Sequence, residues 1–210
     1  GAATPEIALA AAKVVEGDVD GIDVNMGCPK PFSVQGGMGA ALLALPDTAE
    51  AIVRILAENL SVPVSAKIRL LPTRAETVAF AVRLAHAGAR CVTVHCRFPA
   101  QREHEAAHWG ELAPIVRALR PLGVPVIANG DMYRREDAAA IMASTGCAGV
   151  MLGRPALFNL SLFRSNVLAA EQRAARADSA KSASTSANPS SSSNDSSSLG
   201  DAGKGATLMP

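Results

Sequence analysis

Residues 22–43, IDVNMGCPKPFSVQGGMGAALL, decide how the rest of the chain is read. The run Gly21-Ile22-Asp23-Val24-Asn25-Met26 is predicted as a buried strand. It stops at Gly27-Cys28-Pro29. Gly permits a tight bend and Pro cannot continue a ladder, so Cys28 is held where the strand leaves the sheet. Gly36, Gly37 and Gly39 follow, then Ala40 to Leu45, which is predicted as a helix start. A constrained thiol at a strand end that feeds a Gly-rich loop and a helix is the local plan of an α/β active site.

Upstream, Thr4-Pro5-Glu6 combines an N-cap hydroxyl, Pro at the first helical position and an acid in the first turn. The helix it starts is expected to bury Ile7, Leu9, Ala10, Val14 and Val15 and to end at Gly17. Downstream, helices are predicted from Pro46 to about Asn59, Thr73 to Ala87, Leu112 to Leu119 and Arg135 to Ser144. Strands are predicted at 62–69, 91–95, 125–130 and 148–153. This is strict β/α alternation. Its strands read as unpatterned apolar runs covered on both faces, so the sheet is expected to be parallel. Each strand ends in polar residues or glycine, and in a (β/α)8 barrel such ends gather on the face that carries the chemistry. Five strands are visible, not eight. Either the sheet is open or three barrel strands precede Gly1.

The 210 residues suffice for one domain with a real core, and 49% are hydrophobic. Aromatics make up only 3%, so Ala, Val, Leu and Ile have to fill it. A net charge of +1 gives no general nucleic-acid footprint. No apolar run approaches a membrane span, which points to a soluble, cytoplasmic protein without a membrane partner. The four cysteines form no CxxC pair, which argues against a disulfide framework and for a reducing compartment. No targeting segment is visible, and the true N-terminus is expected to lie upstream of Gly1. Residues 166–210 turn Ser-, Ala- and Asn-rich and are expected to form a disordered tail behind a folded part spanning 1–165.

Several motifs then fall into register. Asn25-Met26-Gly27-Cys28-Pro29 with Gly36-Gly37-Met38-Gly39-Ala40 resembles the signature of tRNA-dihydrouridine synthases, most closely the eukaryotic type that modifies position 20. Lys67-Ile68-Arg69, Val94-His95-x-Arg97, Ile127-Ala128-Asn129-Gly130-Asp131 and Leu152-Gly153-Arg154-Pro155 resemble its later motifs in the same order. The resemblance implies a partial (β/α)8 TIM barrel, strands four to eight, from a flavin barrel that is normally followed by a helical tRNA-binding domain. It implies FMN as cofactor, NADPH or NADH as reductant and tRNA as substrate. The family usually has Gly between His and Arg. Cys96 stands there in this chain and is expected to crowd the flavin phosphate region.

The implied reaction reduces the uracil C5–C6 double bond, with hydride delivered from flavin to C6 and a proton to C5. A free cysteine, with an ordinary pKa of ~8.5, is mostly protonated at neutral pH, so Cys28 suits the proton donor. The alternative for any free cysteine is a small buried hydrophobe, the reading preferred for Cys91 and Cys147. By resemblance the amide of Asn25 holds the uracil; otherwise it is a strand-end turn residue. Lys67 ends an apolar strand and requires an anionic partner such as reduced flavin, unless it snorkels to the rim. Arg69 and, more weakly, Arg97 are candidates for substrate contact. His95 matches a flavin-contacting histidine of the family, against a structural role. Asn129, Gly130 and Asp131 form a turn whose amides can approach a ribityl phosphate, and Gly153 with Arg154 do so from the last strand. A stacked uracil has to be extruded to react, so a positive rim is expected, with Arg102, Arg134 and Arg135 as candidates.

Three other readings remain open. His104-Glu105-Ala106-Ala107-His108 fits HExxH, the zinc-peptidase motif, although its surroundings are polar and no metal is otherwise expected. An incomplete barrel exposes strand edges and is then an inactive fragment. A flavin enzyme for free pyrimidines or dihydroorotate is the third; Gly27 in place of Ser before Cys28 argues against it.

Overall fold

The computed structural model describes residues 1–164. Contacts divide the chain into two units, Gly1–Leu162 and Phe163–Pro210, and the second lies almost wholly outside the described residues. The expectation for 166–210 falls there too.

The first unit alternates helix and strand. In chain order the elements are α1 Pro5–Val15, β1 Ile22–Met26, α2 Pro31–Gln35, α3 Pro46–Asn59, β2 Val64–Arg69 and α4 Arg74–His86. Then follow β3 Val92–His95, α5 Leu112–Leu119, β4 Val126–Asn129, α6 Arg135–Thr145, β5 Gly149–Met151 and α7 Arg154–Phe158. The strands form one parallel sheet in the order β1-β2-β3-β4-β5. Sequential parallel strands, each crossing over through a helix, are consecutive units of a (β/α)8 barrel.

Strands β1, β2 and β4 alternate rather than running apolar on both faces, whereas Val92, Thr93 and Val94 of β3 are all buried. Met26, Ile68, Val94 and Ala128 stand side by side in register, each fully buried. Val24, Ala66, Val92 and Val126 form the row behind them. The other face carries Asp23, Asn25, Ser65, Lys67, Arg69, His95 and Asn129, all at least partly exposed. A period of two has thus separated an oily face from a polar one. The apolar face packs on helices such as α3, whose Ala49, Ile52, Val53 and Leu56 are buried.

Two local readings change. In α1 the buried residues are Ala8 and Ala12, while Ile7 is 57% and Val14 79% exposed. PEIALAAAKVV is apolar almost all round, so its periodicity does not choose a face; the small side chains face inward. The segment after Cys28 contains the short α2, and Gly39–Ala44 is a 3-10 turn leading into α3. The Thr4 cap is formed, and Thr73 caps α4 in a reciprocal pair with Glu76. No helix among the described residues is long and apolar enough to cross a membrane.

Candidate active site at the C-terminal edge of the sheet

Register places the polar residues in two tiers. Asn25, Lys67 and Thr93 form the lower tier. Arg69, His95, Asn129 and Met151 form the upper tier, at the strands' C-terminal ends. Neighbouring parallel strands lie ~4.8 Å apart, so each tier is a row of adjacent side chains on one face.

Cys28 sits half-buried just beyond β1 on a turn fixed from several sides. The Asn25 Oδ1 accepts from the backbone N–H of Gly27 at 3.0 Å and of Cys28 at 3.1 Å. The Arg69 Nε donates to the Gly27 carbonyl at 2.8 Å, and the Ala40 N–H donates to the Cys28 carbonyl at 2.9 Å. Gly39 backs this turn at φ 59°, where a Cβ would meet Ser33 Oγ at 2.5 Å and the Cys28 carbonyl at 2.6 Å. Asn25 therefore builds the turn with its oxygen and keeps its amide N–H groups available. Arg69 also donates to the Phe98 carbonyl at 3.1 Å, which makes it a brace between two loops.

Lys67 has no hydrogen-bond or ion-pair partner among the described residues. Burial, then the charge of Arg69, push its ammonium below the usual lysine range. A half-buried cation left open in this way is a receptor for an anion.

On the β3–β5 side, a cleft of about 180 Å³ is lined by His95, Asn129, Gly130, Asp131, Gly153 and Arg154, with Tyr133 and Met151 beside them. Gly130 adopts φ 119°, and a Cβ there would meet Ala107 at 3.1 Å and the His95 ring at 3.2 Å. The Trp109 Nε1 donates to the Gly130 carbonyl at 2.9 Å, and the Asn129 Nδ2 to the Met151 carbonyl at 2.8 Å. The Asp131 carboxylate accepts from Arg97 at 2.5 Å, the Ala107 N–H at 2.8 Å and Arg154 at 3.3 Å. Burial works against that carboxylate's charge, but these donors hold it below the usual range. Arg154 also lies 3.6 Å from Glu103 and over the Tyr133 ring. His95 is pushed down to about 3 by burial and then by Arg69, Lys67 and Arg97.

Of the residues singled out in the sequence, six expected around a cofactor share this cleft, and Lys67 lies on the neighbouring strand β2 of the same face. Arg97, a candidate for substrate contact, also lines this cleft. It is 2% exposed, and its guanidinium donates to Glu103, Glu105, Asp131 and His95. Cys96 does not crowd the cleft. It is fully buried in the apolar core one residue past β3, with its Sγ 3.7 Å from the Val94 carbonyl, and burial pushes its thiol up to about 12. His104-Glu105-x-x-His108 is turn and coil, not helix, so its histidines lack the shared helical face that zinc requires. Glu105 accepts from the Arg102 N–H, and His108 packs its ring at a tilt against Phe98 and bonds Gln101. No metal-holding cluster exists among the described residues. Of the candidate rim cations, Arg102 and Arg134 are exposed and Arg135 is half-buried. Gly39, Trp109, Tyr133 and Met151 are among the site residues to which the sequence reading gave no role of their own. Gly39 lay in the Gly-rich loop, whereas nothing in its neighbours marked Trp109.

Parallel β/α units that bring a fixed thiol, an open cation and a cleft to the C-terminal ends of their strands define a barrel-type domain with a candidate site on the face where such folds carry their chemistry. Residues 1–191 match the family model of dihydrouridine synthase (Dus), and the chain belongs to that family. It is 41% identical over 168 residues to tRNA-dihydrouridine(20) synthase (NAD(P)+) of Schizosaccharomyces pombe, covering 78% of this chain and 35% of the relative. It is 42% identical over 139 residues to the Saccharomyces cerevisiae enzyme of the same name, covering 64% and 36%. The chain thus spans about a third of the length of these relatives. Among solved structures, DHODH from Eimeria tenella in complex with ferulenol aligns with a TM-score of 0.53 at 15% identity, covering 73% of this chain and 49% of the other. A mutant flavocytochrome b2 with benzoylformate aligns with a TM-score of 0.53 at 19% identity, covering 77% and 43%. These two likenesses give the fold alone.

Proposed function

We propose that this chain carries the catalytic half of an FMN-dependent reductase that converts uridine in tRNA to 5,6-dihydrouridine, with NAD(P)H as reductant. The observation that carries the reading is that Asn25, whose oxygen pins the Cys28 turn, stands in register beside Lys67, whose ammonium has no partner among the described residues. The residues fit FMN. Lys67 offers an unpaired cation to an anionic ring, Gly130 keeps a side chain out of the cleft, and His95 and Arg154 supply donors at its wall. When bound, FMN supplies the hydride for C6 of the uracil. Cys28 holds the proton for C5, and its fixed backbone removes the need to order that loop in the transition state. Asn25 keeps its amide N–H groups for the base, while Arg69 steadies the Cys28 turn. The exposed Arg102 and Arg134 are the cations this reading assigns to the backbone of an extruded nucleotide.

Purifying the 210-residue chain and recording flavin absorbance tests cofactor binding. Undermodified tRNA compared with free uracil and orotate tests the substrate; turnover of the free bases alone overturns the tRNA reading. In the full-length enzyme, Cys28→Ala is expected to retain flavin and lose about 10²–10⁴-fold in dihydrouridine formation. Unchanged turnover removes Cys28 as the acid.

A further inference from the structure

His95 and Arg97 flank the inward-facing Cys96, and the Arg97 Nη1 lies 3.2 Å from the His95 Nε2. A guanidinium has donors only, so Nε2 has to accept and carries no proton. The remaining proton of the neutral ring then sits on Nδ1, which has no partner among the described residues. Arg97 has little freedom to leave this arrangement. Its Nε donates to the Glu105 carbonyl at 2.7 Å, and its Nη2 donates to the Glu103 carbonyl at 3.2 Å and to Asp131 at 2.5 Å.

We propose that Arg97 is a positioning residue that locks His95 as the neutral Nδ1–H tautomer, so that the ring offers the cleft one hydrogen-bond donor and no charge. The acceptor for that donor is an oxygen or nitrogen of the flavin, and this part rests on the function proposed above; the tautomer does not. The groups facing His95 are Lys67 and Arg69 from β2, Arg97 beside it, and Asp131 beyond β4. Three cations face one carboxylate, and that carboxylate is already shared between Arg97 and Arg154. An imidazolium has no place in such a set. The charge for an anionic ligand falls to Lys67, and His95 contributes direction.

The test is imidazole nitrogen NMR on the chain labelled with ¹⁵N-histidine, from about pH 5 to about pH 8, where an ordinary histidine titrates. His95→Gln assigns the signal. The expected result is a protonated Nδ1 and an unprotonated Nε2 that do not change over this range. Arg97→Lys keeps a donor and a charge and is expected to preserve the tautomer. Arg97→Met removes both, so Nε2 loses its fixed donor and the ring should become a mixture of the two neutral tautomers, while burial, Arg69 and Lys67 keep its midpoint below the ordinary value of about 6.5. An Nε2–H or mixed tautomer in the wild type, or a His95 midpoint above about 6, overturns the proposal. If Arg97→Met does not fold, the wild-type spectrum still decides. An Nδ1–H signal that FMN does not move supports the lock and sinks the flavin reading instead.

Discussion

Lys67 shows how a single residue trades stability for binding. Its ammonium is half-buried without a partner, which the folded chain tolerates at a cost. Lys67→Met is therefore expected to raise the urea midpoint of the ligand-free chain. The same change should weaken FMN binding about 10–100-fold, the range of one charge-assisted hydrogen bond. Titration calorimetry and urea melts on one preparation check both; a variant that loses stability and keeps its affinity contradicts the assignment. The sequence marked Lys67 because a cation stood at the end of an apolar run. It could not mark Arg97 as a hub. That role depends on the path of the loop after β3, which returns the carbonyls of Glu103 and Glu105 to a buried guanidinium. Nor could the sequence place Cys96, which lies one residue past β3 in a bend, where alternation no longer fixes a side chain's direction.

At the level of elements, the segment from β1 to α3 joins fold and chemistry. Gly39 lies against the back of Cys28 in a left-handed conformation. Gly39→Ala is expected to cost about 1–3 kcal/mol from backbone strain alone, with the steric contact added. It should also change the alkylation rate of Cys28, because the displaced neighbour is the Cys28 carbonyl. Denaturant melts and thiol-labelling kinetics measure the two effects, and an unaltered labelling rate would show that the turn does not depend on this glycine. Strand β1 was legible to within a residue, since a run bounded by Gly21 and Gly27 has sharp edges. Helix α2 was not, because five residues between Pro31 and Gly36 are too few for a helical period to register. The buried face of α1 was hidden for the opposite reason: nearly every position there is apolar.

For the whole molecule, the ring of charge around His95 sets a pH dependence. Its folded pKa of about 3 lies below the ordinary ~6.5, so the unfolded chain takes up the proton first as pH falls. The stability tied to the neutral ring is complete above ~6.5 and declines below it toward 3. Asp131 and Glu111, both held below the usual carboxylate range, add their losses only below about 4. The urea midpoint of the ligand-free chain should fall between about pH 7 and pH 5, and His95→Gln should flatten that slope. A slope unchanged in the variant would place its source elsewhere.

The connection after β3 runs from Phe98 to Trp109 with little regular structure, yet its backbone is anchored repeatedly. Arg97 holds two of its carbonyls, Asp131 accepts the Ala107 N–H, and the His108 N–H donates to the Cys96 carbonyl. A protease needs several consecutive residues pulled into an extended strand, and these tethers withhold them. Trypsin should therefore spare the bond after Arg102 in the native chain although that side chain is exposed, and should cut there quickly once Arg97→Met releases the tethers. Mass spectrometry of timed digests would reveal rapid native cleavage at Arg102 if the anchoring is weaker than its geometry indicates.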